Sequence, residues 1–308
     1  MSPRGKTSAA RPDVPLQISN PEKVFWPDEG YTKLDLIRFY VEVFEPLKPY
    51  VKDRLLSLER CPDGMAGECF YQKQKPPSMP EDTPTRPVRH EKGTTSYVVG
   101  GKLVTQLALV NLGCIAIHVW GSRKQNPRKP DWVCFDLDPD SGKFADAARA
   151  GIRLKEALSA LKLVSYPKTS GKRGLHVFVP IQTGPDADEV RGFAETLGQH
   201  LSQAYRNEMT MESRIAARQG RVYLDPFRNG FAQTVVSPYC VRRAAKAPVS
   251  TPLAWSEVRP TLDPSEFNLG NFGRRLAKKD PWEDFFENRQ PLAHALRAVR
   301  SLLRRTIF

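Results

Sequence analysis

The sequence predicts an α+β fold, because strand-like and helix-like segments are mixed along the chain without a regular alternation. Apolar residues alternate over residues 132–138 as in a strand, and they recur with a helical period over residues 144–161. The chain has 308 residues, of which 40% are hydrophobic, so it can bury a sizeable core. Its longest nearly apolar run, residues 107–120, is interrupted by Asn111 and His118, and we therefore expect no membrane span.

The charge balance indicates a polyanionic partner. Lys and Arg number 47 against 34 Asp and Glu, a formal net charge of +13. Such an excess on a globular chain is typical of nucleic-acid binding, although simple solubility also explains it. The cysteines number five, an odd count without a CxxC pair, which excludes a disulfide framework and a zinc ribbon and favours a reducing compartment. No apolar stretch follows the basic N-terminus, so no secretory signal is predicted.

Local signals place the other elements. Residues 1–15 are small, polar and basic, as in a flexible tail. A helix begins after Thr32, because Asp35 completes a capping box, and Pro46 should bend or end this helix. The further elements, in chain order, are an extended piece at 68–73, a helix or strand at 103–111, a buried strand at 114–120, the strand at 132–138, the helix at 144–161, strands at 165–170 and 176–180, a long helix capped by Asp186, strands at 221–225 and 234–237 joined by a turn at 228–230, and a basic amphipathic helix at 292–305.

Two carboxylates lie on one face of the strand at 132–138. The period of two places Asp136 and Asp138 together, about 7 Å apart by strand rise, with apolar side chains on the other face. Such a pair can share two divalent cations that clamp the oxygens of a phosphoryl transfer, and hard oxygen ligands suit Mg²⁺ or Mn²⁺. Asp225 ends a strand with the same alternation and is the best third carboxylate. The alternative is that these are ordinary residues of strand ends.

The segment at residues 169–176, with the sequence TSGKRGLH, is a candidate anion-binding site. Its small residues let backbone N–H groups approach a phosphate, while Lys172 and Arg173 add positive charge and His176 adds a neutral donor. The spacing is not that of a Walker loop. A tight hairpin turn with exposed basic residues is the alternative interpretation.

Other candidates are weaker by themselves. His118 lies in an apolar strand, where a histidine is more often an ordinary core residue. Lys33 lies in the first turn of its helix, where an anion held with Lys23 would offset the unfavourable interaction with the helix dipole; otherwise both are solvated lysines. Phe70 and Tyr71 could stack on a base or simply pack. Arginines that could compensate the charge of a triphosphate cluster around Asp225, at Arg218, Arg221, Arg228, Arg242 and Arg243.

Seven segments taken together resemble one family. NPEKVFWP, YTKLDLIRFY, IHVWGS, DWVCFDLDPD, KTSGKRGLHVFVP, RVYLDPFRN and SPYCVR occur in the order and at the spacing of the polymerase domain of bacterial ligase D, of the archaeo-eukaryotic primase superfamily. The resemblance runs from about residue 19 to about residue 291. It implies a primase-type catalytic core with RRM-like β-sheets flanked by helices, a catalytic domain at 16–291 and a C-terminal basic helix at 292–308.

The resemblance also implies roles for individual residues. The carboxylates that match Asp136, Asp138 and Asp225 hold two Mn²⁺ or Mg²⁺ ions in that family. The incoming nucleoside triphosphate is bound by the residues that match His118, Ser170, Arg173, His176, Arg218 and Arg242, to which Lys172 is a basic addition. The matches of Lys23 and Lys33 bind the 5′-phosphate of the downstream DNA strand, and those of Phe70 and Tyr71 pack on the DNA.

The implied activity is template-directed addition of ribonucleotides or deoxyribonucleotides to DNA 3′ ends at gaps and double-strand breaks, in bacterial non-homologous end joining. A primer 3′-hydroxyl attacks the α-phosphate, and a contact from Ser170 to the ribose 2′-OH would favour ribonucleotides. Ku and a DNA ligase are the partners implied by the family, and the expected location is the bacterial cytoplasm with the nucleoid. A two-metal nuclease and a non-catalytic end-bridging protein are the rival functions.

Three positions depart from the family pattern. Ala116 stands two residues before His118, where an acidic residue is usual, so a partner that would fix the tautomer of His118 is missing. Arg173 replaces a more common lysine, which keeps the charge but changes its geometry. Pro226 follows Asp225 where an aromatic residue is usual. No metal ligand is lost.

Overall fold

A five-stranded sheet and a four-stranded sheet, each packed against helices, carry many of the residues singled out by the sequence, among them Asp136, Asp138, Asp225, His118 and His176. The computed structural model describes the backbone of residues 16–305 and the side chains as far as Val299. The tail predicted for residues 1–15 and the end of the C-terminal segment, 306–308, lie outside the described residues. The mixture of helices and sheets confirms the predicted α+β class.

Eight α-helices occur in the described part of the chain. They are α1 (Lys33–Glu42), α2 (Phe44–Val51), α3 (Leu103–Asn111), α4 (Phe144–Ala160), α5 (Ala187–Ala204), α6 (Ile215–Arg218), α7 (Gly273–Leu276) and α8 (Ala293–Arg305). The same part of the chain has the strands β1 (Val24–Trp26), β2 (Tyr31–Thr32), β3 (Leu56–Arg60), β4 (Phe70–Gln72), β5 (Thr85–His90), β6 (Gly93–Val98), β7 (Cys114–Trp120), β8 (Trp132–Pro139), β9 (Tyr166–Thr169), β10 (Leu175–Pro180), β11 (Met209–Thr210), β12 (Val222–Asp225), β13 (Thr234–Val236), β14 (Cys240–Val241) and β15 (Val249–Ser250).

The two larger sheets separate the candidate residues into two groups. The five-stranded sheet has the order β11-β12-β8-β10-β9, and the four-stranded sheet has the order β13-β7-β3-β4. The strands predicted at 221–225 and 234–237 therefore do not form a hairpin, since β12 and β13 belong to different sheets. A short 3₁₀ helix, Phe227–Asn229, carries the chain from one sheet to the other.

Helix boundaries follow the local signals except at one proline. Thr32 and Asp35 form the predicted capping box of α1, and Asp186 caps α5 with its own capping box. The predicted break lies earlier than Pro46, because α1 ends at Glu42 and Pro46 sits in the first turn of α2. A proline is tolerated there, since the first N–H groups of a helix have no intrahelical partner. The ambiguous segment at 103–111 is the helix α3.

Strand alternation divides the apolar residues between two cores. Val133, Phe135 and Leu137 point from β8 into a core shared with α4 and α5. The other face of β8 begins with Trp132 and Cys134, which belong to the second core beside the four-stranded sheet. This face therefore starts apolar and becomes polar at Asp136 and Asp138, at the point where the second core ends.

The C-terminal helix α8 packs against α5. Leu292, Ala295 and Val299 join the core that contains α5, so the apolar stripe predicted for this helix has a partner. None of the described helices is long and apolar enough to cross a membrane.

One disulfide departs from the expectation drawn from the cysteine count. Cys61 and Cys69 are bonded, with Cα atoms 4.4 Å apart. They flank the antiparallel pair β3–β4 next to the partners Arg60 and Phe70, so the hairpin itself brings them together. Sequence spacing gives no sign of that register. Cys114, Cys134 and Cys240 are free and buried, so this single bridge does not amount to a disulfide framework.

Candidate active site

An open cleft of about 820 Å³ lies where the polar end of β8 emerges from the cores. The cleft is lined by eleven of the residues that the sequence analysis proposed: Asp136, Asp138, Ser170, Lys172, Arg173, His176, Arg218, Asp225, Arg228, Arg242 and Arg243. It brings together carboxylates from one pair of strands and basic side chains from four separate segments. His118 and the two candidate DNA-binding pairs do not line it.

Backbone pairing aligns the three carboxylates. β12 runs antiparallel to β8, with Asp225 opposite Asp136 and Tyr223 opposite Asp138. Because the side chains of paired residues project from the same face, Asp136 and Asp225 are neighbours. Their side chains are 17% and 12% exposed, whereas Asp138 is 38% exposed nearer the cleft opening.

Arginines are the immediate partners of all three carboxylates. Nε of Arg228 donates to Asp136 at 3.1 Å and lies 3.2 Å from Asp225. Nη1 of Arg218 donates to Asp138 at 2.9 Å, and Nε of Arg173 lies 3.6 Å from the other oxygen of Asp138. The acidic floor of the cleft is therefore compensated by guanidinium groups.

The buried carboxylates differ in their affinity for protons. Burial alone would raise the pKa of Asp136, but His176 and Arg228 outweigh it and hold that pKa well below the usual range. Burial raises the pKa of Asp225, and the charge of Asp136 adds to this effect while Arg228 opposes it. Asp136 is therefore firmly ionised, which suits a metal ligand.

The donor set fits hard divalent cations, although the arrangement is not that of a formed metal centre. Among the described residues, no three His, Cys, Asp or Glu side chains are grouped so that they could hold a metal ion as they stand. The three carboxylates instead face Arg218 and Arg228. Carboxylate oxygens are the ligands preferred by Mg²⁺ and Mn²⁺, so displacement of these guanidinium groups would expose a suitable set.

A buried lysine supports the site, and the sequence analysis missed it. Nζ of Lys168 lies 2.9 Å from Nδ1 of His176 and donates to Oγ of Ser250 at 2.6 Å. Nε2 of His176 in turn lies 3.2 Å from Asp136. Burial lowers the pKa of Lys168 to about 7. Burial and the nearby Lys168 lower the pKa of His176 to about 4, so the imidazole is neutral at pH 7. Lys168 begins the segment KTSGKRGLHVFVP of the family resemblance, but nothing in that segment indicated that its side chain is buried.

The 169–176 turn is built around the Ser170 hydroxyl. Its Oγ accepts from the backbone N–H groups of Lys172, at 3.2 Å, and Gly174, at 3.0 Å. Nη1 of Arg242 donates to the Ser170 carbonyl at 2.7 Å, which fixes this arginine against the turn. A Cβ at Gly171 would lie 2.4 Å from Cγ of Arg242, and its φ of +74° also favours glycine. The turn therefore joins β9 and β10 as a hairpin, and Ser170 already satisfies two of its backbone N–H groups.

His118 lies in the four-stranded sheet, at the edge of this arrangement. The ring of Tyr71 contacts it edge-on at 5.5 Å between centroids, and the Glu59 carboxylate lies 4.0 Å from Nε2. Burial, with the charges of Arg242 and Arg228, holds the pKa of His118 well below its usual range. The structure therefore connects His118 electrostatically with the arginines of the cleft.

The candidate DNA-binding residues lie outside the cleft, in the part of the chain that precedes α3. Phe70 and Tyr71 are 42% and 59% exposed on the edge strand β4. Lys23 pairs with Asp63, whereas Lys33 is buried and donates to the carbonyls of Ser19 and Asn111. Burial, followed by the charge of Lys23, lowers the pKa of Lys33.

Two further residues of the arginine-rich segment have structural roles. Arg221 donates to the carbonyls of Arg218 and Ala217, and it does not line the cleft. The side chain of Asn229 accepts from Cys134 N and donates to Cys134 O, which continues the β12–β8 pairing beyond Asp225. This clamp holds the neighbouring Arg228 beside Asp136.

These two sheets and the carboxylates at the end of one of them define a protein of the primase-polymerase type. The chain belongs to the family described as LigD, primase-polymerase domain, whose model matches residues 32–282. The resemblance found in the sequence is confirmed.

Curated relatives and one solved structure agree with this family. The chain is 30% identical over 292 residues to the bifunctional non-homologous end joining protein LigD of Bacillus subtilis, covering 92% of this chain and 47% of that protein. It is 30% identical over 297 residues to the multifunctional LigD of Pseudomonas aeruginosa, covering 92% and 34%. The chain thus spans less than half the length of these relatives.

The fold is similar to that of the polymerase domain of Mycobacterium tuberculosis ligase D, which was solved in complex with DNA. The TM-score is 0.83 at 26% sequence identity, covering 90% of this chain and 99% of that one. The predicted primase-type core is confirmed by this likeness.

Proposed function

We propose that the protein is a template-directed nucleotidyltransferase that adds ribonucleotides or deoxyribonucleotides to DNA 3′ ends at gaps and double-strand breaks in non-homologous end joining. The observation that carries the proposal is the pairing of Asp225 with Asp136, two residues from Asp138, on the floor of a basic cleft. Phosphoryl transfer needs carboxylates for metal ions and cations for the triphosphate, and both are present here.

Asp136, Asp138 and Asp225 would hold two Mn²⁺ or Mg²⁺ ions. When bound, such a pair of ions stabilises the charge on the attacking and leaving oxygens of an in-line displacement. His176 fixes the orientation of Asp136, since its Nε2 is directed at that carboxylate and its Nδ1 is occupied by Lys168. Asp136 is therefore preorganised as a ligand.

The basic wall of the cleft would bind the triphosphate. Arg173, Arg218 and Arg242 reach it from three segments, and Lys172 lies in the same turn as Arg173. Guanidinium groups suit phosphate oxygens because they donate two parallel hydrogen bonds. Ser170 also lines the cleft, and we propose that its hydroxyl reads the ribose 2′-OH.

DNA would approach the open side of the cleft. The exposed Phe70 and Tyr71 offer stacking surfaces, and Lys23 with Lys33 supplies positive charge for a 5′-phosphate. The related polymerase domain of known structure was solved with DNA, and the curated relatives are named as end-joining proteins. We extend the proposal to cooperation with Ku and a DNA ligase.

Primer extension on a gapped, 5′-phosphorylated duplex tests the proposal, with ribo- and deoxyribonucleotides and with Mn²⁺ and Mg²⁺ in parallel. Asp136→Asn and Asp225→Asn should each reduce extension by at least ~100-fold, because a metal ligand is lost. Asp188→Asn, on the exposed surface of α5, is the matched control. Shortening of labelled DNA without nucleotide would instead indicate a nuclease, and metal-independent DNA binding without extension would indicate an end-bridging protein.

A further inference from the structure

One face of the four-stranded sheet carries a polar row that the cleft residues do not explain. Glu59 on β3 lies between Tyr71 of β4 and Ala116 of β7, its two cross-strand partners. His118 lies two residues after Ala116, and residues two apart in a strand share a face. The side chains of Tyr71, Glu59, Ala116 and His118 therefore occupy one surface.

The carboxylate of Glu59 is buried and half satisfied. It is 3% exposed, and its Oε1 accepts from Nε of Arg243 at 2.9 Å. Its Oε2 lies 4.0 Å from Nε2 of His118. Both of these atoms are fully buried and have no hydrogen-bond partner in the structure. Leaving two such groups unpaired costs free energy, and a small rotation of either side chain would bring them into a hydrogen bond.

We propose that Glu59 is a positioning residue for His118, whose Nε2–H it accepts, so that the ring is held in one tautomer with Nδ1 as the acceptor for a nucleotide hydroxyl. A neutral imidazole has one donor nitrogen and one acceptor nitrogen. A neighbouring carboxylate only accepts hydrogen bonds, so the ring nitrogen that faces it carries the proton. Burial, together with the charges of Arg242 and Arg228, holds the pKa of His118 well below its usual range, so the choice of tautomer of the neutral ring matters.

Glu59 replaces a partner that the sequence analysis considered lost. Ala116 supplies no acid to His118 from its own strand, but Glu59 is paired directly with Ala116 and presents its carboxylate from the neighbouring strand. Ala116 and Glu59 are both buried. Through Arg243, which lines the cleft, the same carboxylate also ties the four-stranded sheet to the active site.

The tautomer itself can be measured without activity. Long-range ¹H–¹⁵N correlation spectra of the wild-type protein should show His118 as the Nε2–H form; the chain has 5 histidines, and His118→Gln assigns the signal. In Glu59→Gln the amide oxygen should remain the acceptor for Arg243, because a guanidinium can only donate. The NH₂ group of the new glutamine then points towards His118. We expect the Nδ1–H form in this isosteric variant. An Nδ1–H tautomer in the wild type, or the same tautomer in both proteins, would overturn the proposal.

A carboxylate swap between the paired positions provides the kinetic test, which rests on the proposed nucleotidyl transfer. Glu59→Ala should raise the KM for nucleotide by ~10-fold with a smaller change in kcat. Glu59→Ala combined with Ala116→Glu should restore KM to within ~3-fold and also restore the Nε2–H signal, because the acid returns to the same face. If the wild type does not extend primers, the proposed function fails and the spectra still decide the role of Glu59. If the wild type extends primers but the spectra of Glu59→Gln do not change, only the inference fails.

Discussion

Asp136 and Asp225, which are paired across β8 and β12, each direct one oxygen at the same atom, Nε of Arg228. Two carboxylates this close repel each other, and the guanidinium offsets the repulsion. Burial disfavours the charge of Arg228, yet the two carboxylates outweigh this and raise its pKa. Arg228 therefore lies between two of the carboxylates that we propose as metal ligands.

Arg228→Gln should tighten Mn²⁺ binding by ~10-fold, because the ion no longer displaces a resident cation from Asp136 and Asp225. The same change should destabilise the metal-free protein, since two adjacent carboxylates lose their counter-charge. Titration of free Mn²⁺ by electron paramagnetic resonance measures the affinity, and urea unfolding with a chelator measures the stability.

Arg243→Gln is the matched control for that experiment. Arg243 also lines the cleft, but it pairs with Glu59 rather than with the carboxylate trio. Its substitution should leave the Mn²⁺ affinity within about twofold. Weaker Mn²⁺ binding in Arg228→Gln would show that Arg228 organises the carboxylates instead of competing for them.

Lys168 should make stability depend on pH above neutrality. Burial lowers its pKa from 10.5 to about 7 in the folded protein. Between these values the unfolded chain holds more protons, so the free energy of unfolding should rise with pH across this window. We expect the free energy of unfolding to increase by roughly 2–4 kcal/mol across this window for a buried lysine, and Lys168→Met should remove that increase.

The difference between wild type and variant isolates this effect from other groups that titrate at alkaline pH. Urea unfolding at several values between pH 7 and 10 gives both curves, and Lys278→Met, at an exposed position, serves as the control. Parallel curves for the wild type and Lys168→Met would mean that Lys168 titrates near its ordinary pKa in the folded protein.

The sequence was most informative where a signal is local. Alternation along a single strand placed Asp136 and Asp138 on one face, and the capping boxes at Thr32 and Asp186 marked the true starts of two helices. The matching pattern at the end of a second strand singled out Asp225 as the third carboxylate, and the structure places it opposite Asp136.

Features that depend on register between distant segments could not be predicted from the chain alone. The position of Glu59 opposite Ala116 is fixed by the pairing of β3 with β7, and the two residues are far apart in sequence. The buried ammonium of Lys168 has a hydrogen-bond partner, Ser250, that comes from a distant segment of the chain. Such positions follow from tertiary packing, which overrides the usual preference of lysine and glutamate for the surface.

Asn229→Ala should destabilise the protein by roughly 2–3 kcal/mol, because two buried hydrogen bonds to the backbone of Cys134 are lost. The backbone N–H and C=O groups of Cys134 that are left behind are buried. Asn229→Asp tests the geometry, since a carboxylate can accept from Cys134 N but cannot donate to Cys134 O. Urea unfolding measures both variants, and a loss below about 0.5 kcal/mol in Asn229→Ala would contradict the clamp.

Lys23 and Lys33 should respond differently to truncation, although both are proposed for the 5′-phosphate. Lys23 is 32% exposed and pairs with the exposed Asp63, an interaction of little energetic value that a phosphate can replace. Lys23→Ala should therefore reduce the preference for 5′-phosphorylated over unphosphorylated gapped DNA by ~10-fold and lower the salt slope of binding by about one unit. Fluorescence anisotropy over a range of salt concentrations measures both.

Lys33→Ala should also lower the thermal stability, because the buried ammonium of Lys33 joins Ser19 to Asn111 through their carbonyls. The loss would remove the donor that these two partly buried hydrogen bonds share. Lys52→Ala, at an exposed position, is the control for general charge loss. If the wild type binds phosphorylated and unphosphorylated ends equally, neither lysine recognises the phosphate. Lys33 is then a structural residue whose positive charge serves the N-terminal segment.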